Sequence, residues 1–209
     1  MDQDLQVRHL GSFGLGIYGA AYSESLDRLL LGSRAGTLFV LNPGGTVHAA
    51  WPTPANRLWN LRPDKPDDRF VWASSYNGTL YKLDALTGEI VFSRNFGPGA
   101  TTLISWLSSG LLAVGSLKKK VFLLDSSGGL TQTSSTLGGV CFVADLPHLE
   151  AFYVTDHDGR IWICSYKGQV LDRFELDVER NNPIWIAQWL DSNRIVFAWA
   201  NGTIRVLSF

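Results

Sequence analysis

The stretch Gly78-Thr79-Leu80-Tyr81-Lys82-Leu83-Asp84 recurs in altered form along the chain. Related stretches begin at residues 36, 119, 159 and 202, so successive copies lie 40 to 43 residues apart. Within the stretch, residues 79, 81 and 83 would face one side of a β-strand and residues 80, 82 and 84 the other. A repeat of this length that is carried by strands is typical of a β-propeller, in which each repeat forms one blade.

Each repeat divides into four short strands. In the second repeat we predict strands over Arg57–Leu61, Phe70–Ser74, Thr79–Leu83 and Glu89–Phe92. The pair Asn77-Gly78 predicts a hairpin between the second and third of these strands, because both residues adopt positive φ at low cost. No segment shows a helical period, so we expect almost no helix.

The fifth repeat is one strand short. Its predicted strands are Ile184–Leu190, Arg194–Trp199 and Thr203–Phe209. We expect residues 4–10 to supply the missing outer strand, which would close the ring and leave no open sheet edge between blades. The prediction is an all-β, five-bladed propeller of four-stranded antiparallel blades forming a single domain over residues 1–209. The blades are placed at about 16–51, 57–94, 101–134, 139–175 and 183–209.

Composition and charge narrow the class of protein. Of the 209 residues, 45% are apolar and 18% are charged, which argues against disorder. The net charge of −1 removes the main attraction to nucleic acids and anionic membranes, so we expect neither as a partner. Met1–Asp4 lacks the features of a signal peptide. Cys141 and Cys164 lie in apolar stretches, so we expect buried thiols and a cytoplasmic location.

One longer phrase resembles a known family. Residues 75–91, from Ser75-Tyr76-Asn77-Gly78 to Gly88-Glu89-Ile90-Val91, resemble the blade repeat of quinoprotein-like (PQQ-type) propellers and the related WD40-like group. The third repeat carries Lys119 where this pattern has glycine. The resemblance lies in structural positions and implies a small propeller that serves as a binding platform. The cofactor ligands of quinoprotein dehydrogenases have no counterpart that we can place, so we expect no cofactor.

A propeller of this kind presents one face on which a partner would bind. The loops that enter the first strands and the hairpins between second and third strands share that face. We align five first-strand residues at its centre as roughly equivalent: Tyr18, Trp59, Ile104, Cys141 and Trp185. The candidate partner-binding residues are Tyr18, Arg57, Trp59, Lys118, Lys119, Lys120, Arg180, Asn182 and Trp185. Two interpretations stay open for these residues: Trp59 and Trp185 either contact a partner or wedge between blades, and Lys118–Lys120 form either an acidic-partner contact or a solvated turn.

Catalytic and metal sites find little support. Asp156–Asp158 fits a hairpin turn and the acidic Asp64–Asp68 segment fits an exposed loop, and neither has a metal-ligand spacing. The first strands carry no pair of carboxylates of the kind that glycosidases use. We therefore expect a non-catalytic protein-interaction module without a bound metal, either a monomer or a domain of a larger protein. The alternative is a carbohydrate-binding propeller, because eight tryptophans are spread over the blades.

Overall fold

A computed structural model describes residues 16–97, 103–136, 138–175, 184–191, 194–199 and 201–208. Over these residues the chain is built almost entirely from antiparallel β-strands, and the described helical content is one 3₁₀ turn at Pro147–Leu149. The predicted all-β class, the antiparallel four-stranded sheets and the near absence of helix are confirmed. The predicted outer strand at residues 4–10 lies outside the described residues.

The strands form five sheets, and in each the strands pair in chain order. The first sheet contains β1 (Ile17–Ser23), β2 (Arg28–Ser33), β3 (Thr37–Leu41) and β4 (Val47–Pro52). The second contains β5 (Leu58–Pro63), β6 (Phe70–Ser75), β7 (Thr79–Asp84) and β8 (Ile90–Asn95). The third contains β9 (Ile104–Trp106), β10 (Leu112–Ser116), β11 (Lys120–Leu124) and β12 (Leu130–Ser135). The fourth contains β13 (Val140–Leu146), β14 (Ala151–Asp156), β15 (Arg160–Ser165) and β16 (Val170–Glu175), and the fifth contains β17 (Ile184–Asp191), β18 (Arg194–Trp199) and β19 (Ile204–Ser208).

The hydrophobic core lies between successive sheets. Leu30 and Val40 of the first sheet pack against Leu61 and Val71 of the second, and all four side chains are fully buried. Similar buried clusters join the second sheet to the third, the third to the fourth and the fourth to the fifth. Folding is driven by the removal of apolar surface from water. Each interior sheet has two apolar faces, so its stability depends on packing against both neighbouring sheets.

The first strands of successive sheets lie side by side and point the same way. β1 contacts β5, β5 contacts β9, β9 contacts β13, and β13 contacts β17. Residues near the start of one first strand lie beside residues near the start of the next: a Cβ built on Gly19 would lie 3.2 Å from the backbone of Asn60. The Asn60 side chain in turn accepts a hydrogen bond from the Ile104 N–H at 3.4 Å. The starts of the first strands therefore share one face, which we call the entry face.

Candidate functional site

The entry face is completed by the hairpins between second and third strands. A Cβ built on Gly36, in the β2–β3 hairpin, would lie 1.9 Å from the carbonyl oxygen of Ala55, just before β5. In the same way, a Cβ on Gly139, just before β13, would lie 2.9 Å from the carbonyl oxygen of Leu117 in the β10–β11 hairpin. The hairpin of one sheet thus touches the entry loop of the next, as the sequence predicts.

A β-bulge recurs at the start of the first strand. In four of the five sheets the pairing register shifts by one residue, between Ile17 and Gly19, Leu58 and Asn60, Val140 and Phe142, and Ile184 and Ile186. The extra residues are Tyr18, Trp59, Cys141 and Trp185. A bulge leaves the extra residue out of the ladder and redirects its side chain. Four of the five residues that we aligned from the sequence therefore occupy one structural position.

Ile104 does not belong to this set, and its predicted equivalence was wrong. Ile104 pairs with Val114 as Leu61 pairs with Ala73, so Ile104 is the counterpart of Leu61. Both side chains are buried in the core. The counterpart of Trp59 in the third repeat precedes Leu103 and lies outside the described residues.

Three aromatic rings meet on the entry face. The Tyr18 and Trp59 rings stack with centroids 4.8 Å apart and an interplanar angle of 15°. Tyr76, from the β6–β7 hairpin, lies 6.2 Å from Trp59. Tyr18 and Tyr76 are 42% and 44% exposed, whereas Trp59 is half-buried between them. These three residues form the aromatic cluster, an accessible apolar surface built from two neighbouring sheets.

Arg57 adds a positive charge to the aromatic cluster. Its guanidinium carbon lies 5.0 Å from the Tyr76 ring centroid and 6.0 Å from that of Tyr18, within the range of a cation–π contact. The Arg57 carbonyl oxygen accepts a hydrogen bond from the Tyr76 N–H at 3.3 Å, which fixes the hairpin beside it. Among the described residues no carboxylate forms an ion pair with Arg57. The cluster thus offers a cation that an acidic group can reach.

The three lysines lie on the hairpin of the next sheet. Lys118, Lys119 and Lys120 are all exposed, and none pairs with a carboxylate in the described part of the chain. Lys119 has a φ of 62°, at the position where Gly78 has 90°. A left-handed conformation costs a residue with a side chain about 1–2 kcal/mol relative to glycine. Lys119 shares this left-handed conformation with Asp27 and Glu150.

The structure therefore brings together Tyr18, Arg57 and Trp59, and it places the lysine hairpin at the same end of the adjacent sheet. Arg180 and Asn182 lie outside the described residues, as does the side chain of Trp185. Tyr76 is the residue that sequence reasoning left out of the candidate site. Its position beside Asn77-Gly78, in a hairpin assigned to this face, was the signal that pointed to it.

Four tryptophans donate their indole N–H groups to acceptors within the protein, so their rings have structural roles. Trp51 donates its indole N–H to the carbonyl oxygen of Ala85 at 3.0 Å, and Trp106 donates to that of Pro63 at 2.8 Å. The indole nitrogens of Trp72 and Trp162 donate to the buried carboxylates of Asp64 and Asp156, at 2.7 Å and 3.0 Å. A buried indole needs such an acceptor, so these rings hold sheets and loops together.

The Asp156–Asp158 segment is a turn built around one carboxylate. Asp156 is fully buried and accepts hydrogen bonds from the N–H groups of Asp158 and Arg160, both at 3.0 Å. Arg160 also lies 3.6 Å from the same carboxylate. Nearby, burial raises the pKa of the Cys141 thiol to about 12, so the thiol stays protonated and is a poor nucleophile. Among the described residues no group of three or more His, Cys, Asp or Glu side chains could hold a metal ion.

Within the same described ranges, no helix is both long enough and apolar enough to cross a bilayer. No protein-family model matches the sequence, and a search of curated proteins found no match.

Proposed function

We propose that the chain forms a closed five-bladed β-propeller and acts as a non-catalytic protein-interaction module. The row of first strands, the apolar clusters between successive sheets and the repeated bulge all support the propeller. Propeller blades stack in this way around a central channel. The resemblance to PQQ-type and WD40-like repeats remains a proposal of the same kind.

The fifth sheet supports closure by residues 4–10. The third strands of the other sheets are mostly buried, whereas β19 exposes Ile204 at 68% and Val206 at 51%. An exposed apolar edge strand is a liability that a further strand removes. Deletion of residues 1–10 should lower the free energy of unfolding and expose the β19 amides to hydrogen exchange. Unchanged exchange at β19 would contradict closure by this segment.

One observation carries the functional proposal: the stacked, accessible aromatic cluster lies on the entry face beside Arg57, which forms no ion pair with a carboxylate of the described residues. Tryptophan, tyrosine and arginine are enriched among the residues that dominate the binding energy of protein interfaces. Aromatic rings bury a large area at a low cost in conformational entropy, and arginine adds several hydrogen-bond donors. Arg57 and the lysine hairpin at Lys118–Lys120 give this face a positive character. We infer that the partner presents an extended, acidic segment with at least one apolar side chain.

The chain offers a matched pair for testing this face. Tyr18 and Tyr22 are both exposed, at 42% and 51%, and lie at opposite ends of β1. A display library of random peptides would be selected against the immobilised protein. The affinity of each enriched peptide would then be measured for the wild type and the variants. We expect enrichment of acidic peptides that contain apolar residues. Tyr18→Ala should weaken their binding about 30-fold, as expected for a hot-spot residue, and Tyr22→Ala by less than about threefold.

Reversing the charge provides an independent check. Arg57→Glu should abolish binding of the acidic peptides, whereas Arg57→Lys should retain part of it because the positive charge remains. Equal losses for Tyr18→Ala and Tyr22→Ala would contradict binding at the entry face. Enrichment of no peptide, together with saturable binding on a glycan array, would favour the carbohydrate-binding alternative.

A further inference from the structure

A cleft opens at the opposite end of the first strands from the entry face. It has a volume of about 470 Å³, which falls in the size range of small-molecule sites. Tyr22 and Glu24 border it from the end of β1, Arg62 from the end of β5, and Trp106 from β9. The Lys65-Pro66 turn forms its outer rim. The cleft therefore combines apolar walls with charged groups from three successive first strands and their loops.

Two of the acidic residues at the cleft already have hydrogen-bond partners within the protein. Asp64 pairs with the Lys82 ammonium at 2.6 Å and accepts the Trp72 indole N–H at 2.7 Å. Asp68 accepts hydrogen bonds from the N–H groups of Glu24 and Ser25, at 2.6 Å and 3.1 Å, and from the Ser25 hydroxyl. These hydrogen bonds lower the pKa of Asp68, so its carboxylate stays ionised and occupied. Glu24 is the remaining carboxylate at the rim.

Arg62 is the half-buried cation of this cleft, whereas Lys65 is exposed at its rim. The Arg62 guanidinium donates a hydrogen bond to the carbonyl oxygen of Leu61 at 2.9 Å. No carboxylate of the described residues forms an ion pair with it. Burial lowers the pKa of this guanidinium from its ordinary value, which reflects the same missing counter-charge. Removing a guanidinium from water costs free energy unless an anion accepts its N–H groups and balances its charge.

We propose that this cleft binds a small carboxylate that carries an apolar body. The guanidinium of Arg62 would hold the carboxylate through two parallel N–H···O bonds, the geometry that arginine favours with planar anions. Lys65 adds a second positive charge at the rim, while Trp106 and Pro63 offer apolar contact to the body of the ligand. Glu24 disfavours a dianion such as phosphate through like-charge repulsion. This site is separate from the aromatic cluster and independent of the proposed protein interaction.

The test uses benzoate as the probe, with benzamide as a neutral ligand of the same shape and inorganic phosphate as a dianion. Binding is followed by NMR through the backbone amides of Lys65 and Ser105. We expect saturable shifts with benzoate and at least about tenfold weaker binding of benzamide, because a charge-assisted hydrogen bond is lost. Phosphate should also bind more weakly than benzoate. Equal binding of benzamide, stronger binding of phosphate, or no saturable shift with benzoate would overturn the proposal.

Two variants separate recognition from folding. Arg62→Met keeps the length and apolar stem of the side chain, so its melting temperature should equal or exceed that of the wild type, while benzoate binding falls about tenfold or more. Glu24→Gln should tighten benzoate binding about two- to threefold, because a like charge is removed. Retained benzoate affinity in a folded Arg62→Met protein would refute the role of Arg62.

Discussion

The contact between the β2–β3 hairpin and the loop before β5 predicts a large cost for Gly36→Ala. Gly36 has a φ of 78°, which costs a residue with a side chain about 1–2 kcal/mol. The added Cβ would also lie 1.9 Å from the Ala55 carbonyl oxygen, so the loop must shift by roughly 1 Å or more. Overpacking of this kind costs about 1–3 kcal/mol. We therefore expect Gly36→Ala to lower the free energy of unfolding by about 2–5 kcal/mol.

Gly202 provides the matched control, because it occupies the same hairpin position in the fifth sheet. Its φ is 88°, but a Cβ built on it meets no atom of the described residues within 4 Å. Gly202→Ala should cost only the backbone term, about 1–2 kcal/mol. Gly44 has no positive φ, and a Cβ built on it meets nothing within 4 Å in the described part of the chain, so it should tolerate alanine within about 0.5 kcal/mol. Urea unfolding measures the free energy of unfolding of all three variants, provided that the m-values are unchanged. Equal losses in this free energy for Gly36→Ala and Gly202→Ala would refute the steric argument.

Three further predictions concern single residues. Lys119→Gly should raise the free energy of unfolding by about 1 kcal/mol, or the melting temperature by about 2–4 °C, because the strained φ of 62° is relieved; a lower melting temperature would contradict this. Asp156→Asn should lower the free energy of unfolding by about 2–4 kcal/mol in urea titration, because an amide nitrogen cannot accept the hydrogen bonds that the buried carboxylate receives. Burial raises the pKa of the Cys141 and Cys164 thiols to about 12, so both should resist alkylation in the folded protein. These two thiols should not affect stability below about pH 8.5, and their contribution should lower it as the pH rises from there toward 12, since the unfolded thiols ionise first. Rapid alkylation of the native protein at pH 8 would contradict this prediction, because it would show that a thiol is accessible and reactive.

The repeat made most of the architecture predictable. Asn77-Gly78 fixes a hairpin by its backbone preference, and the observed β6 and β7 begin at the residues predicted for them, Phe70 and Thr79. Strand ends differ more: β5 begins at Leu58 and ends at Pro63, where we predicted Arg57–Leu61. Strand termini depend on contacts with neighbouring sheets, which a periodic pattern does not encode.

The candidate site was predictable only in part, because it depends on a bulge. Tyr18 and Trp59 stood out as bulky residues at the start of first strands, and the structure stacks them. Ile104 was placed with them because alternation alone cannot reveal an extra residue in a ladder. Its register with Val114 moves it into the core instead. Tyr76 belongs to another segment of the chain, and only the folded hairpin brings it within 6.2 Å of Trp59.

The bulge also explains how this fold can vary its entry face without disturbing its core. A ladder residue of a first strand whose side chain faces a neighbouring sheet must pack against that sheet, as Leu61 does. The bulged residue is released from the ladder, so its side chain is less constrained by packing. Tyrosine, tryptophan and cysteine accordingly occupy the same position at Tyr18, Trp59 and Cys141. Because the residues that pack the sheets and those that line the entry face are distinct, binding specificity on this face can change while the repeat that builds the sheets is retained.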